Sequence, residues 1–408
     1  MAGCPPLYSR DWVVAGLTLA LAFGLTATAI AQQGQPAPQD VPPVPELGEP
    51  QGFVPEPAVV ERAAVFADRH LSGGGQSNGF YVSTKSPIQG SGWISVGPGY
   101  RHWFRDDRVF IDGSAGVSWR GYKMAQGQLE LPKLLRSRLV LGSMYRWQDF
   151  RAIKSYGAGP NTAEADVSTY HLSSQNVVGY ATVRMQRWLN LNSSLGWVNP
   201  EVRSIGGDEP RFMHAETSLV ADTRDYPDHP TSGALVRVAG ARFDDQDTGL
   251  YSFQRFESEA AVFIPLADSR VVVALRGWAV ASDSDAGQSV PAYLQPTLGG
   301  GQSLRSYEDF RFRDDHMLLG NLEVRIKLMT HVDAAVFVDA GNVAHQFKDL
   351  NLDKRSYGAG LRFHTRRATI LRTDFAHGRE GWQMRFTLSE PLRLSRTERR
   401  TAPFPFVP

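Results

Sequence analysis

From about residue 91 the chain alternates. Segments of about 9–14 residues carry apolar side chains at every second position, with turn or loop chemistry between them. In "NLEVRIKLM", Leu322, Val324, Ile326 and Leu328 share one face, and Asn321, Glu323, Arg325 and Lys327 share the other. "VDAAVFVDAG" sets Val332, Ala334, Val336 and Val338 against Asp333, Ala335, Phe337 and Asp339. "WQMRFTLS" sets Trp382, Met384, Phe386 and Leu388 against Gln383, Arg385, Thr387 and Ser389. About fourteen such segments are readable: 92–103, 109–131, 138–148, 169–184, 189–200, 212–223, 234–243, 252–265, 270–281, 316–329, 332–342, 356–364, 368–376 and 381–389. "GFYVSTKSPI" (79–88) can add to them.

A soluble sandwich of two sheets alternates too. Connection lengths separate the two readings. Short turns ("ADSR", "MTH", "HTRR") interleave with long polar loops ("RAIKSYGAGPNTAEADVS", "SDSDAGQSVPAYLQP", "HQFKDLNLDKR"). That is the habit of an outer-membrane barrel, with short periplasmic and long extracellular connections. Aromatics recur near segment ends (Tyr100, Trp103, Tyr145, Trp188, Trp278 and Trp382 among them), as interfacial girdles require. The expected fold is all-β: a transmembrane antiparallel β-barrel with both ends on the periplasmic side.

Composition is compatible with that reading. The 408 residues are 42% hydrophobic and 21% charged with 39 Gly, and mean hydropathy is −0.29. No stretch after residue 31 approaches the ~20 apolar residues of a membrane helix. A barrel hides from such averaging because its lipid-facing and lumen-facing residues cancel. A net charge of +1 offers no basic stripe for phosphates, so nucleic acid is not an expected partner. Trp12 to Ala31 is an apolar run after Arg10 that ends in Ala29-Ile30-Ala31, which reads as a cleaved signal peptide over 1–31 or, alternatively, a retained anchor. The single cysteine, Cys4, precedes that run, so the processed chain would carry no thiol. Residues 32–57 form a Pro-rich periplasmic linker, 58–78 a short helix, 79–391 the barrel, and 392–408 a basic, then Pro/Phe-rich tail. No nucleophile elbow, metalloprotease helix, P-loop or dinucleotide fingerprint is present, and the ten histidines are scattered. An enzyme, a cofactor and a metal are therefore not expected.

Three stretches bring in a family. "LGGGQSLRSY", "LLGNLEVRIKL" and "AAVFVDAGNV" together resemble the closing third of BamA/TamA-type outer-membrane assembly barrels, the bacterial surface antigen family. "ADTRDYPDHPTSG" (Ala221 to Gly233) resembles that family's turn between strands, carrying Asp222, Arg224, Asp225, Pro227 and Gly233, and "YGAGPNT" (156–162) resembles a further loop signature. The likeness covers roughly 91–391. It implies 16 strands and an extracellular loop folded back into the lumen, with its tip at Leu304-Arg305-Ser306-Tyr307. The glycines before the tip read as slack. A lumenal arginine must find carboxylates, and parity puts Glu323 and Asp339 on the polar faces of the next two strands. The resemblance implies the same pairing, with Tyr307 beside it; ordinary solvated lumen charges are the alternative. The family tip has Gly where this chain has Ser306, which would strain a left-handed backbone there. The turn reads as a rigid hairpin connection, or alternatively as a surface partners touch.

The implied function is outer-membrane biogenesis, inserting or translocating polypeptide or lipid; a passive pore or a surface-antigen barrel is the alternative. The implied partners are outer-membrane lipids and lipopolysaccharide, client polypeptides, and a separate periplasmic protein, because 32–78 is too short for a POTRA domain. A monomeric barrel is expected. Phe386, Leu388 or the tail itself would stand in for the terminal aromatic that many such barrels end on.

Overall fold

The computed structural model describes residues 52–70, 78–83, 95–203 and 210–388. The expectations for the leader, most of the Pro-rich linker and the C-terminal tail fall outside these residues. A helix, α1 (Ala58–His70), precedes the strands. The first half of the sheet comprises β1 (Gly79–Ser83), β2 (Ser95–Phe104), β3 (Val109–Ser118), β4 (Lys123–Leu134), β5 (Leu139–Ser155), β6 (Ser168–Arg184), β7 (Leu189–Arg203) and β8 (Phe212–Asp222). There follow β9 (Gly233–Asp245), β10 (Phe253–Leu266), β11 (Val271–Ser284), the short β12 (Thr297–Leu298) and β13 (Phe312–Arg313), β14 (His316–Met329), β15 (Val332–Ala344), β16 (Lys354–His364), β17 (Thr369–Gly378) and β18 (Gly381–Thr387).

All but β12 and β13 join one 16-stranded antiparallel sheet in chain order; those two pair with each other. The strand count exceeds the fourteen readable segments for two reasons. The segment 109–131 is two strands, β3 and β4, because the chain reverses at Trp119–Tyr122 without interrupting the alternation. The other addition is β1, within "GFYVSTKSPI". No described helix is long and apolar enough to cross a membrane, and the crossing elements are strands.

The faces of the sheet are inverted relative to a soluble domain. On β14 and β15, Leu322 is 40% exposed and Val336 52%, while Glu323 and Asp339 are 0% exposed. The period of two carries aliphatic side chains to the lipid side and charges to the lumen. Tyr100, Tyr145, Trp188 and Trp382 are exposed. Trp278 departs from the girdle reading: it is buried against Leu304 and Tyr307, because even-numbered positions of β11 face inward. Short turns at 105–108, 135–138 and 267–270 close the periplasmic end, each holding three consecutive residues at positive φ.

One seam interrupts the sheet. β1 pairs with β2 over five residues and β18 pairs with β17 over seven. Among the described residues, β1 and β18 share no ladder.

Candidate functional site

The connection from β11 to β14 turns inward and fills the lumen. Leu298, Leu304, Tyr307 and Phe312 pack with Trp278, Met317, Leu319 and Val343 of the wall. Farther along, Phe310 joins Tyr122, Phe150, Ile153, Tyr170 and Leu172 of a different arc of strands. Arg311 donates to Thr162 Oγ1 (2.8 Å) and pairs with Glu380 (2.9 Å), so one side chain joins the β5–β6 and β17–β18 connections. The glycines at the loop's entry are tight rather than slack. Gly299 has φ +115, and a Cβ there would overlap the Glu308 carbonyl.

Arg305 lies at the centre. Its Nε donates to Asp339 Oδ2 at 3.0 Å and its Nη2 to Asp339 Oδ1 at 2.8 Å, a two-pronged contact. Its Nη1 donates to Glu323 Oε2 at 2.5 Å. The backbone N–H of Arg305 also reaches Asp339, at 3.2 Å. All three side chains are buried. The aromatic partner of the guanidinium is Phe337, whose ring centroid lies 3.4 Å from Cζ. Tyr307 instead packs edge-on to Phe312, so the expected neighbour of Arg305 is replaced by an inward residue two positions before Asp339.

The ion pairs continue beyond these three residues. Glu323 also accepts from Arg362 (2.9 Å), Arg362 meets Asp374 (2.7 Å), and Asp374 meets Arg372 (3.0 Å). Arg372 returns to the loop by donating to the Gly301 carbonyl at 2.5 Å. Asn321 bridges Asp339 (2.8 Å) and the Ser303 carbonyl (3.1 Å). On the last strand, Arg385 donates to the carbonyls of Arg305 (2.9 Å) and Tyr307 and pairs with Asp309 (3.2 Å). Alternating anions and cations let each buried charge keep a partner, which such burial requires. Sequence reading passed over Arg362, Arg372, Asp374 and Arg385. Their inward parity was the signal that could have found them.

Ser306 is not strained: its φ lies outside the left-handed region. Its N–H donates to Ser356 Oγ at 2.9 Å. Its side chain rests where Gly378 of β17 has no Cβ; one added there would come within 3.1 Å of the Ser306 Cβ. A side chain at the tip is thus accommodated by a missing one on the wall. Nearer the extracellular end, Lys154 donates to Glu308 at 2.9 Å. Burial alone would raise the Glu308 pKa, but the Lys154 ammonium together with the Arg385 and Arg120 cations outweighs it and holds the carboxyl below its usual range.

At the opposite end, the turn between β8 and β9 is internally braced. Arg224 donates through Nε and Nη2 to the two oxygens of Asp222 (3.0 and 3.1 Å) and through Nη1 to the Pro227 carbonyl (3.2 Å). Asp225 accepts from the N–H groups of Tyr226, Thr231 and Ser232, and Gly233 opens β9. The turn also reaches across the mouth: Asp228 bridges to Ala368, and the Thr369 N–H donates to the Asp228 carbonyl at 2.9 Å. Among the described residues, two groups come close enough to share a metal ion: His229, Asp333 and His364 at this mouth, and Asp314, Asp315 and His345 at the other.

Charges inside and aliphatic side chains outside define the class: a membrane-spanning β-barrel whose lumen is occupied by its own loop. The model of the Omp85 superfamily domain matches residues 103–389, and the chain belongs to that superfamily of outer-membrane assembly and translocation barrels. Its fold is shared with BamA from Haemophilus ducreyi, solved without POTRA domains 1–3 (15% identity, 82% of this chain and 78% of that one, TM-score 0.58). It is shared too with CdiB from Escherichia coli (13%, 74% and 58%, TM-score 0.52) and CdiB from Acinetobacter baumannii (13%, 77% and 58%, TM-score 0.50). The chain thus spans less than two thirds of each CdiB. No curated protein sequence matches it. Among the described residues, no POTRA-type unit precedes the sheet; only α1 and the strap 52–57 lie there.

Proposed function

We propose that this barrel inserts or passes client polypeptide at the outer membrane through the seam between β1 and β18, without enzymatic chemistry. The observation that carries this reading is the grip of the loop on the last strand. Arg385 of β18 is bound by two loop carbonyls and Asp309, so this edge is gripped from the lumen. Among the described residues β18 shares no ladder with β1, and a strand at such a seam is a place where an incoming strand can add to the sheet. A loop that fills the lumen also argues against the competing reading of a wide passive pore.

Client delivery falls to a separate periplasmic protein in this proposal, and lipids and lipopolysaccharide contact the apolar outer face of a monomeric barrel. Export depends on a leader cleaved after Ala31. Depletion of the protein followed by quantification of the outer-membrane proteome tests the reading. Other barrels should fall in abundance; an unchanged proteome would remove its support. Planar-bilayer recordings should show small, flickering conductance, whereas steady open channels would favour the pore.

A further inference from the structure

Three polar side chains from three separate elements meet at the periplasmic mouth. His229 sits in the β8–β9 turn, Asp333 near the start of β15 and His364 at the end of β16, and their residues are 2%, 5% and 1% exposed. His364 Nε2 lies 3.2 Å from Asp333 Oδ1, and His229 Nε2 lies 3.7 Å from Asp333 Oδ2. The two imidazoles stack with centroids 3.9 Å apart and planes at 13°. Their other nitrogens are held from behind: His229 Nδ1 is 3.0 Å from Thr369 Oγ1, and His364 Nδ1 is 3.0 Å from the Thr365 carbonyl oxygen.

Proton accounting makes this arrangement informative. Both ring nitrogens of His364 face acceptors, a carbonyl and a carboxylate, yet a neutral imidazole has a single N–H. With the N–H on Nδ1 serving Thr365, the Nε2 lone pair points at Asp333, and either a proton or a metal cation between them relieves the repulsion. The His229 approach of 3.7 Å is too long for a hydrogen bond. It suits two ligands of one tetrahedral ion, whose donors at about 2.0–2.1 Å lie about 3.3 Å from each other. Each imidazole is anchored through Nδ1 with Nε2 toward Asp333, as in metal-ligating histidines, and the stacked rings must swing apart for both lone pairs to meet one ion.

We propose that His229, Asp333 and His364 bind a divalent ion of the zinc class, which locks the β8–β9 turn to β15 and β16 across the mouth. Two imidazoles and one carboxylate suit Zn²⁺ or a neighbouring late first-row ion, whereas Mg²⁺ and Ca²⁺ require oxygen donors. The fourth position is open to water. Arg325, Lys327 and Arg362 face the same region from β14 and β16. Their field weakens the site without altering its donors, which again favours the ion with the greatest affinity for imidazole. His331, 6.4 Å from His364 by ring centroids, is engaged by Glu56 at 2.7 Å. The ion would reinforce the backbone link that already joins Asp228 to Thr369.

The test titrates Zn²⁺ into the metal-free full chain in detergent. Binding of one equivalent is expected, with a rise in the temperature at which the barrel loses its compact migration on a gel. His229→Ala and His364→Ala should each weaken binding at least about tenfold, while His345→Ala, in the other cluster, should leave it intact. Gln replaces Ala wherever the alanine variant does not fold. X-ray absorption at the zinc edge of the unaltered chain should read a mixed nitrogen and oxygen shell. An all-oxygen shell, no stoichiometric binding, undiminished binding in folded variants, or a melting temperature that follows pH but not Zn²⁺ would each overturn the site.

Discussion

The two edges of the sheet flank the same seam but line the lumen differently. The C-terminal strands β14 to β18 present Arg325, Arg362, Arg372 and Arg385 against Glu323, Asp339 and Asp374, and that network continues into the loop. The N-terminal strands present mainly small or neutral polar groups, such as Ser114, Gln126 and Gln128, with Asp112 and Glu130. There, Tyr81 of β1 donates to Asp112 at 2.8 Å, and Arg101 covers its ring at 4.0 Å. One edge is thus fixed by buried charges shared with the loop, while among the described residues the other is joined by a five-residue ladder, the Tyr81 phenol, the Asn78 side chain on Trp103 and the Phe80–Tyr100 ring pair. The difference predicts that β1 is displaced more readily than β18.

Removing the centre of the network should have the largest effect. Arg305→Ala leaves Asp339 and Glu323 short of a buried partner, which costs about 3–5 kcal/mol. Loss of heat-resistant gel migration and cleavage of the loop by added protease should both follow; unchanged resistance would mean that the loop is held by its apolar contacts alone. Arg385→Ala should cost less, about 1.5–3 kcal/mol in all, because its partners are a half-buried carboxylate and backbone carbonyls, and its effect should be local. Hydrogen exchange of β18 should rise while that of β1 stays constant. Equal rises at both edges would erase the distinction between them.

Much of the wall was legible before any coordinates. A period of two sorts Glu323 and Asp339 to one face whatever the strand boundaries, because adjoining antiparallel strands keep their parity through a short turn. The same count places Arg362, Arg372 and Asp374 inward, yet a lone charged residue on a strand does not announce which other charge it meets. The split at Trp119–Tyr122 was hidden because a tight turn that continues the alternation leaves no mark in it. Phe337 and Gly378 were illegible for another reason: each matters through a close approach by a loop residue, and loop paths follow from the folded lumen. His229, Asp333 and His364 are separated by 104 and 31 positions in the chain, and only the turn that crosses the mouth brings them together.

The fit of the tip against the fixed edge can be tested by a pair of substitutions. Gly378→Ala on β17 would push a methyl into Ser306 and toward the Arg355 carbonyl, 2.9 Å away. Overpacking of this kind costs about 1–3 kcal/mol. Adding Ser306→Gly should recover part of the loss, leaving the share due to the backbone contact, and the coupling should be readable in a double-mutant cycle. A fully additive pair would mean that the loop shifts rather than interlocks with β17.

The smallest effect concerns pH and centres on Glu308, which Lys154 of β5 and Gln383 of β18 both reach. Glu308 has its pKa lowered in the fold: burial opposes its charge, and the Lys154 ammonium with the Arg385 and Arg120 cations more than offsets burial. Because the folded value is the lower one, the contact contributes fully above the ordinary Glu pKa of about 4.3 and is lost as pH falls through the folded value. With both side chains partly solvated, the contribution is below about 1 kcal/mol. Protection factors around residues 306–310, corrected for intrinsic exchange, should therefore be flat across neutral pH and fall only in acid, and Glu308→Gln should abolish that response. The arginine network keeps its cations throughout, so Arg385 should still protect β18 at a pH where the Lys154 side of the loop has loosened. Simultaneous loosening of both sides would show that the loop is one rigid body, and that the asymmetry lies in the strands alone.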